Sequence, residues 1–368
     1  MTRVRFGDVV NDIKVNVDRQ NNPYDIYVAG DHMDSEDLTL HRWGSFATDD
    51  VGPAFIRIFK PGQVLYGSRR TYLKKIVVAP FEGITANTTF VLKTKNEDEF
   101  SQRLLPFIML SDDFTEWSIR KSKGSTNPYV LFSDLADYEF DLPSLEEQRR
   151  LADKLWAAYE LKEAYKKMIA ATDEMVKAQF IEMFEDAPIK TLREVSIKNG
   201  EYGANVQADT FNGDVRYIRI TDITNDGSLN DDKVSPKIFD EKYLLKTNDL
   251  LFARTGNTVG KTYLHKGGKM IFAGYLIRYQ LNEELILPEF AFAFTHTQQY
   301  YNWVNKTKKV GAQPNISANQ YDTMPIIVPS SLAEQRKLVE ITRQAEKSKS
   351  ELRQAIEKID RVMKSLMQ

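Results

Sequence analysis

Two stretches of the chain repeat apolar residues at alternating steps of three and four. In the second stretch Leu338, Ile341, Ala345, Ser348, Leu352, Ala355, Ile359, Val362 and Leu366 mark one face, the spacing of a coiled-coil seam. In the first, Leu151, Leu155, Ala158, Lys162, Tyr165, Ile169, Thr172 and Val176 follow the same rule, weakened by Lys162 and Thr172. Pro143 and Pro329 stand just before these stretches, where a missing amide hydrogen costs nothing, and glutamates in the first turn suit the helix dipole. A helix of about forty residues spans roughly 60 Å, too long to be buried within one small domain. The narrow seams therefore predict two long helices packed on each other as an antiparallel coiled coil.

Ahead of each helical stretch the pattern changes to short β-branched and aromatic runs bounded by Gly, Pro or Asn. Ala54 to Phe59, Ile76 to Ala79 and Thr89 to Leu92 read as strands, as do Arg216 to Ile220, Asp249 to Phe252 and Leu276 to Tyr279. Leu104 to Leu110 and Glu289 to Val304 read as helices by length and apolar content.

These blocks recur. Leu145-Glu146-Glu147-Gln148-Arg149 returns as Leu332-Ala333-Glu334-Gln335-Arg336, Trp117 as Trp303, and Val64 to Arg69 as Leu250 to Arg254. The polar run Arg120 to Pro128 answers Lys306 to Pro314. All share nearly one offset, about half the chain, so the order is globular, helix, globular, helix. The fold class is α+β: two globular mixed α/β domains separated by two long helices, related as a pseudo-twofold tandem repeat. The boundaries follow as 1–142 and 187–328 for the domains and 143–186 and 329–368 for the helical regions.

Composition narrows the picture without deciding it. At 368 residues with 42% hydrophobic and 28% charged content, the chain reads as an ordinary soluble protein with more than one core. Met1 to Val10 lacks the layout of a secretion signal, and the absence of cysteine excludes disulfides and makes a cytoplasmic location the expectation. The net charge of -2 gives no global pull on a polyanion, so any nucleic-acid binding must come from local clusters.

Apparent catalytic motifs fail on their own chemistry. Gly256-Asn257-Thr258-Val259-Gly260-Lys261-Thr262 is one residue short of the loop that wraps a phosphate in backbone amides. Asn127-Pro128-Tyr129 lacks the second proline of the adenine-methyltransferase tetrapeptide, and no glycine-rich cofactor turn precedes it. His32, His41, His265 and His296 are scattered and do not repeat, so no metal site is expected. Asp31, Asp34, Glu36 and Asp37 read as a solvated acidic run.

What remains is a set of basic and polar loops in matching places of the repeat. The first half offers Tyr66, Ser68, Arg69, Arg70, Tyr72, Lys74 and Lys75, then Lys121, Lys123, Ser125, Thr126 and Asn127. The second offers Arg254, Thr255, Asn257 and Lys261, then Lys306, Lys308, Lys309, Gln313, Asn315 and Ser317. Lysine and arginine suit phosphates; arginine, asparagine and glutamine supply paired donors and acceptors for base edges in the major groove. Recurrence at equivalent positions favours DNA contact over an idle solvated surface.

On these residues the chain resembles the specificity subunits of type I restriction-modification enzymes. The likeness rests on Pro143-Ser144-Leu145-Glu146-Glu147-Gln148-Arg149 and Pro329 to Arg336, the second copy one residue longer after its proline. It implies a non-catalytic subunit that reads double-stranded DNA through two target-recognition domains. Methyltransferase subunits would dock on the helices and restriction subunits, the translocase and nuclease, would join them. S-adenosylmethionine, ATP and Mg then belong to those partners, with no cofactor and no metal on this chain. Two domains held apart by a rod imply two unlike half-sites about one helical turn, roughly 34 Å, apart. A modification-only complex, a structural spacer protein and an enzyme with an unfamiliar site are the other readings.

Overall fold

The two apolar seams form the longest elements of the chain, helices Leu145–Phe184 and Leu332–Met367. The computed structural model describes residues 2–308 and 314–367. It divides into two compact units, Met1–Tyr165 with Gln354–Gln368, and Lys166–Arg353, so each unit takes part of both helices.

Within each unit the helices pack against one another. Lys162 Nζ lies 2.6 Å from Asp360 Oδ1 in the first unit, and Lys349 Nζ lies 2.5 Å from Asp173 Oδ1 in the second. As the first helix ascends from Lys162 to Asp173 its partner descends from Asp360 to Lys349, the antiparallel order the seams predict. Two seam positions are corrected. Ser348 is exposed while Lys349 is buried, and Val362 is 54% exposed while Met363 is buried. The steps Ala345 to Lys349 and Ile359 to Met363 are four residues long, which holds the inward face on a 3.6-residue helix where a three-residue step would rotate it away.

The first unit carries two four-stranded sheets. One orders Val10–Asp12, Thr89–Thr94, Val64–Gly67 and Ile76–Val78, antiparallel throughout. The other orders Gly44–Ser45, Ile26–Val28, Gly83–Ala86 and Phe55–Phe59, with a parallel pairing in the middle. The strand Val64–Gly67 is covered on both faces, which its unbroken apolar run anticipates. Val64 and Tyr66 enter the core shared with the helices, and Leu65 enters a second cluster with Val77 and Val91.

In the second unit Glu201–Tyr202, Leu276–Tyr279, Leu250–Ala253 and Thr262–Leu264 repeat the antiparallel sheet. The stretch expected as one helix from Glu289 to Val304 is two, Pro288–Phe294 and Gln298–Thr307. Thr295 turns its hydroxyl back onto Phe292 O at 2.7 Å. Thr297 caps the next helix by accepting from Tyr300 N, so threonine side chains compete with the helix ladder there. No helix among the described residues is long and apolar enough to cross a membrane.

Candidate nucleic-acid interface

In the first unit the chain leaves strand Val64–Gly67 into a loop that is laced to a second loop far along the sequence. Arg70 N donates to Pro128 O at 2.7 Å, Val130 N donates to Ser68 O at 2.9 Å, and Gly67 N donates to Lys75 O at 3.0 Å. Lys123 and Tyr129 exchange a pair of backbone bonds around Gly124, whose φ of 89° suits glycine. Arg70 and Lys74 themselves adopt left-handed backbone, φ 50° and 46°; such conformations persist only where surrounding bonds over-determine them.

The second unit repeats this lacing 186 positions later. Gly256 N donates to Pro314 O at 3.0 Å, Ile316 N to Arg254 O at 2.9 Å, and Ala253 N to Lys261 O at 2.8 Å. The loops therefore present different side chains from one shared backbone frame: Ser68, Arg69 and Arg70 in one unit, Arg254, Thr255 and Gly256 in the other.

The expected site residues divide into three groups. Arg69, Arg70, Tyr72, Ser125, Thr126 and Asn127 are exposed, as is Lys123, whose ammonium is nonetheless paired with Asp134 at 3.0 Å; Arg69, Arg70, Lys75 and Asn127 line one groove. Asn257 and Lys306 are likewise exposed, with Arg254 and Asn315 half-buried beside each other.

A second group is spent on the protein itself. Lys74 sits between Glu36 at 3.2 Å and Asp112 at 3.3 Å; Lys364 and then Lys74 hold the Asp112 carboxyl below its usual range. Lys75 Nζ donates to Gly30 O and Lys261 Nζ to Ile223 O. Lys121 stacks on Trp117, 4.8 Å from the ring centroid, and Lys308 donates to Asn305. Ser317 is a helix cap, accepting from Gln320 N.

The third group is closed to solvent. Tyr66 lies in the core against Phe90 and Phe114, where burial pushes its hydroxyl up to about 12. It cannot meet a duplex, because alternation along a strand covered on both faces sends every side chain inward. Ser68 and Thr255 are buried too, the Ser68 hydroxyl donating to Thr88 O at 2.5 Å. Lys309 and Gln313 lie outside the described residues.

The phosphate-loop lookalike is a short turn, Gly256–Thr258, leading into strand Thr262–Leu264 rather than a helix. A grouping that linear spacing hides is Asp37, His41 and Glu163, whose ligand atoms lie within 4.8 Å of one another, with the Tyr159 hydroxyl donating to Asp37 at 2.5 Å. Sequence reasoning also missed Tyr202 and Tyr275, exposed aromatics beside Arg254. An aromatic flanked by glycine, as in Glu201-Tyr202-Gly203 and Gly274-Tyr275, is the signal available.

Comparison with known proteins gives a consistent likeness. The family model described as type I restriction modification DNA specificity domain matches residues 19–170 and 185–360. The specificity subunit of the type I restriction enzyme EcoDI from Escherichia coli is 24% identical over 151 residues, 41% of this chain and 32% of that protein, so the match spans about a third of the relative. The solved S subunit of a type I restriction-modification system from M. genitalium covers 100% of this chain and 94% of its own, at 13% identity and TM-score 0.58. A chain from a structure concerned with assembly and conformational transition of a type I R-M system covers 100% and 96%, at 18% identity and TM-score 0.59. At these identities the two structures share the fold.

Proposed function

The chain belongs to the type I restriction-modification DNA specificity family, and on that premise we propose that it selects the DNA sequence for such a complex without catalysing a reaction itself. Residues 1–142 read one half-site and 187–328 the other, while 143–186 and 329–368 carry the methyltransferase subunits. Restriction subunits complete the assembly in the cytoplasm. S-adenosylmethionine, ATP and Mg are handled by those partners.

The observation that carries this reading is the repeated loop lacing with unlike side chains. Equivalent backbone frames suit equivalent tasks, and Arg69 with Arg70 in one unit against Arg254 with Asn257 in the other suit different base sequences. The target is therefore asymmetric. Exposed Lys306 flanks the loops of the second unit and suits phosphate contact. Met168 and Met175, one heptad apart on the first long helix and each about half exposed, suit an apolar partner surface.

Enrichment of random duplexes on the complex purified with its methyltransferase subunits tests the proposal. One bipartite, asymmetric sequence is expected, with affinity falling steeply as salt rises. Binding indifferent to both sequence and salt would overturn it.

A further inference from the structure

In the second unit an aromatic shelf holds an arginine whose donors are largely unspent among the described residues. Tyr202 pairs with Ile277 in the sheet and its hydroxyl accepts from Ala318 N at 3.0 Å, so the ring is fixed at both ends while remaining 43% exposed. The Arg254 guanidinium carbon lies 4.7 Å from the centroid of that ring. Backbone bonds hold Arg254 as well, from its N to Tyr275 O at 3.1 Å and to its O from Ile316 N at 2.9 Å.

The guanidinium itself is poorly satisfied. Among the described residues its one hydrogen bond runs from Nη2 to Asn315 Oδ1 at 3.5 Å, the outer limit for such a contact. Its Nε is buried with no hydrogen-bond partner among them, and no carboxylate pairs with it there. A planar fork of N–H donors, stacked and immobilised, gains little from facing water; it gains from a ligand that brings two acceptors in one plane. Guanine offers O6 and N7 in that arrangement at the floor of the major groove. Phosphate offers acceptors too, but its contact does not require a fixed plane, and Lys306 is exposed for it.

We infer that Arg254 reads a guanine in the half-site of the second unit and that Tyr202 is the positioning residue that sets the plane of its guanidinium. The inference rests on the DNA reading proposed above and adds the base and the residue that aligns it.

The test uses the complex with its methyltransferase subunits and the duplex it selects, with 7-deazaguanine placed at each target guanine in turn. Loss of N7 at one guanine should weaken wild-type binding roughly tenfold or more. Arg254→Lys should weaken the natural duplex similarly, yet be insensitive to 7-deazaguanine at that base alone. Tyr202→Leu should lose the same discrimination, and Tyr202→Phe, which keeps the stacked ring but not the bond from Ala318 N, should retain most of it.

A wild-type complex with no sequence preference would sink the underlying DNA reading. A complex that selects a target in which no guanine responds to the N7 deletion would sink this inference alone, whatever the variants do. So would an Arg254→Lys loss equal on all duplexes with a shallower salt dependence, the signature of a phosphate contact. Retained preference at the opposite half-site shows that a variant is folded.

Discussion

Gln148 and Gln335 make the same pair of hydrogen bonds in their respective units. Gln148 Nε2 donates to Glu99 O at 2.9 Å and its Oε1 accepts from Ser101 N at 2.9 Å. Gln335 Nε2 donates to Leu285 O at 3.0 Å and its Oε1 accepts from Leu287 N at 2.8 Å. Both side chains are buried. The glutamine of each Leu-Glu-Glu-Gln-Arg and Leu-Ala-Glu-Gln-Arg block is thus a clamp that ties the start of a long helix to a loop about fifty residues earlier in the same unit, which explains why the block contains an amide rather than an acid.

Replacing Gln148 or Gln335 by Ala should destabilise by about 1–2 kcal/mol, since a carbonyl and an amide at part-buried sites lose their partners together. Gln148→Glu should be worse at neutral pH, because a carboxylate would face the carbonyls of Glu99 and Pro143, to which Gln148 Nε2 now donates. Urea denaturation monitored by circular dichroism measures both; an unchanged midpoint for Gln148→Ala would refute the clamp.

The helices and the repeat were legible because they are written in local periodicity and in literal recurrence. What escaped was decided by tertiary covering. Tyr66 carries a phenol that reads as surface chemistry in a basic segment, but the helical side of the core, with Phe90 and Phe114 against its ring, closes the face it occupies, while a separate cluster closes the opposite face at Leu65. Lys349 reads as a polar position beside the seam; its burial depends on Asp173, 176 residues away, which no local pattern reports. Tyr202 and Arg254 are likewise distant in sequence, and their stacking becomes visible only when strand Glu201–Tyr202 is placed beside Leu276–Tyr279 and that beside Leu250–Ala253.

The shifted seam makes a direct contrast within one helix. Met363 is buried against the first core whereas its neighbour Val362 is 54% exposed. Met363→Ala should cost about 2–5 kcal/mol, and Val362→Ala should stay within about 0.5 kcal/mol. Equal effects in thermal melts would return Val362 to the seam.

Acid should destabilise the second unit. Burial pushes the His296 imidazole below its ordinary value, against weaker opposing effects of Phe292 O and Asp226, and burial lowers His265 as well. A histidine whose folded value is depressed takes up its proton more readily when unfolded, so its neutral form is accommodated fully above the unfolded value of about 6.5. Stability is then lost as pH falls below that point, and levels off once the folded value is passed. Melting temperatures measured from pH 7.5 to 5 should decline, and His296→Gln should flatten part of the decline. A wild-type melting temperature that is constant or rises on acidification would contradict the assignment.

The two loop systems should fail independently. Arg69 and Arg70 are exposed in a loop anchored at Pro128 and Val130, and Asn257 is exposed in a turn anchored at Pro314, so neither set supports the other's backbone. Changing Arg69 and Arg70 to Ala removes two cations and whatever base contacts they make, which should relax specificity at one half-site by roughly 10-fold or more and reduce the salt slope by up to about two. Asn257→Ala leaves the charge untouched, so it should relax the other half-site with no change in slope. Binding measured on duplexes mutated in each half-site separately, over a salt series, distinguishes these outcomes. Loss at both half-sites from either change would mean that the loops contact one shared segment of DNA, and the division of labour between the units would have to be abandoned.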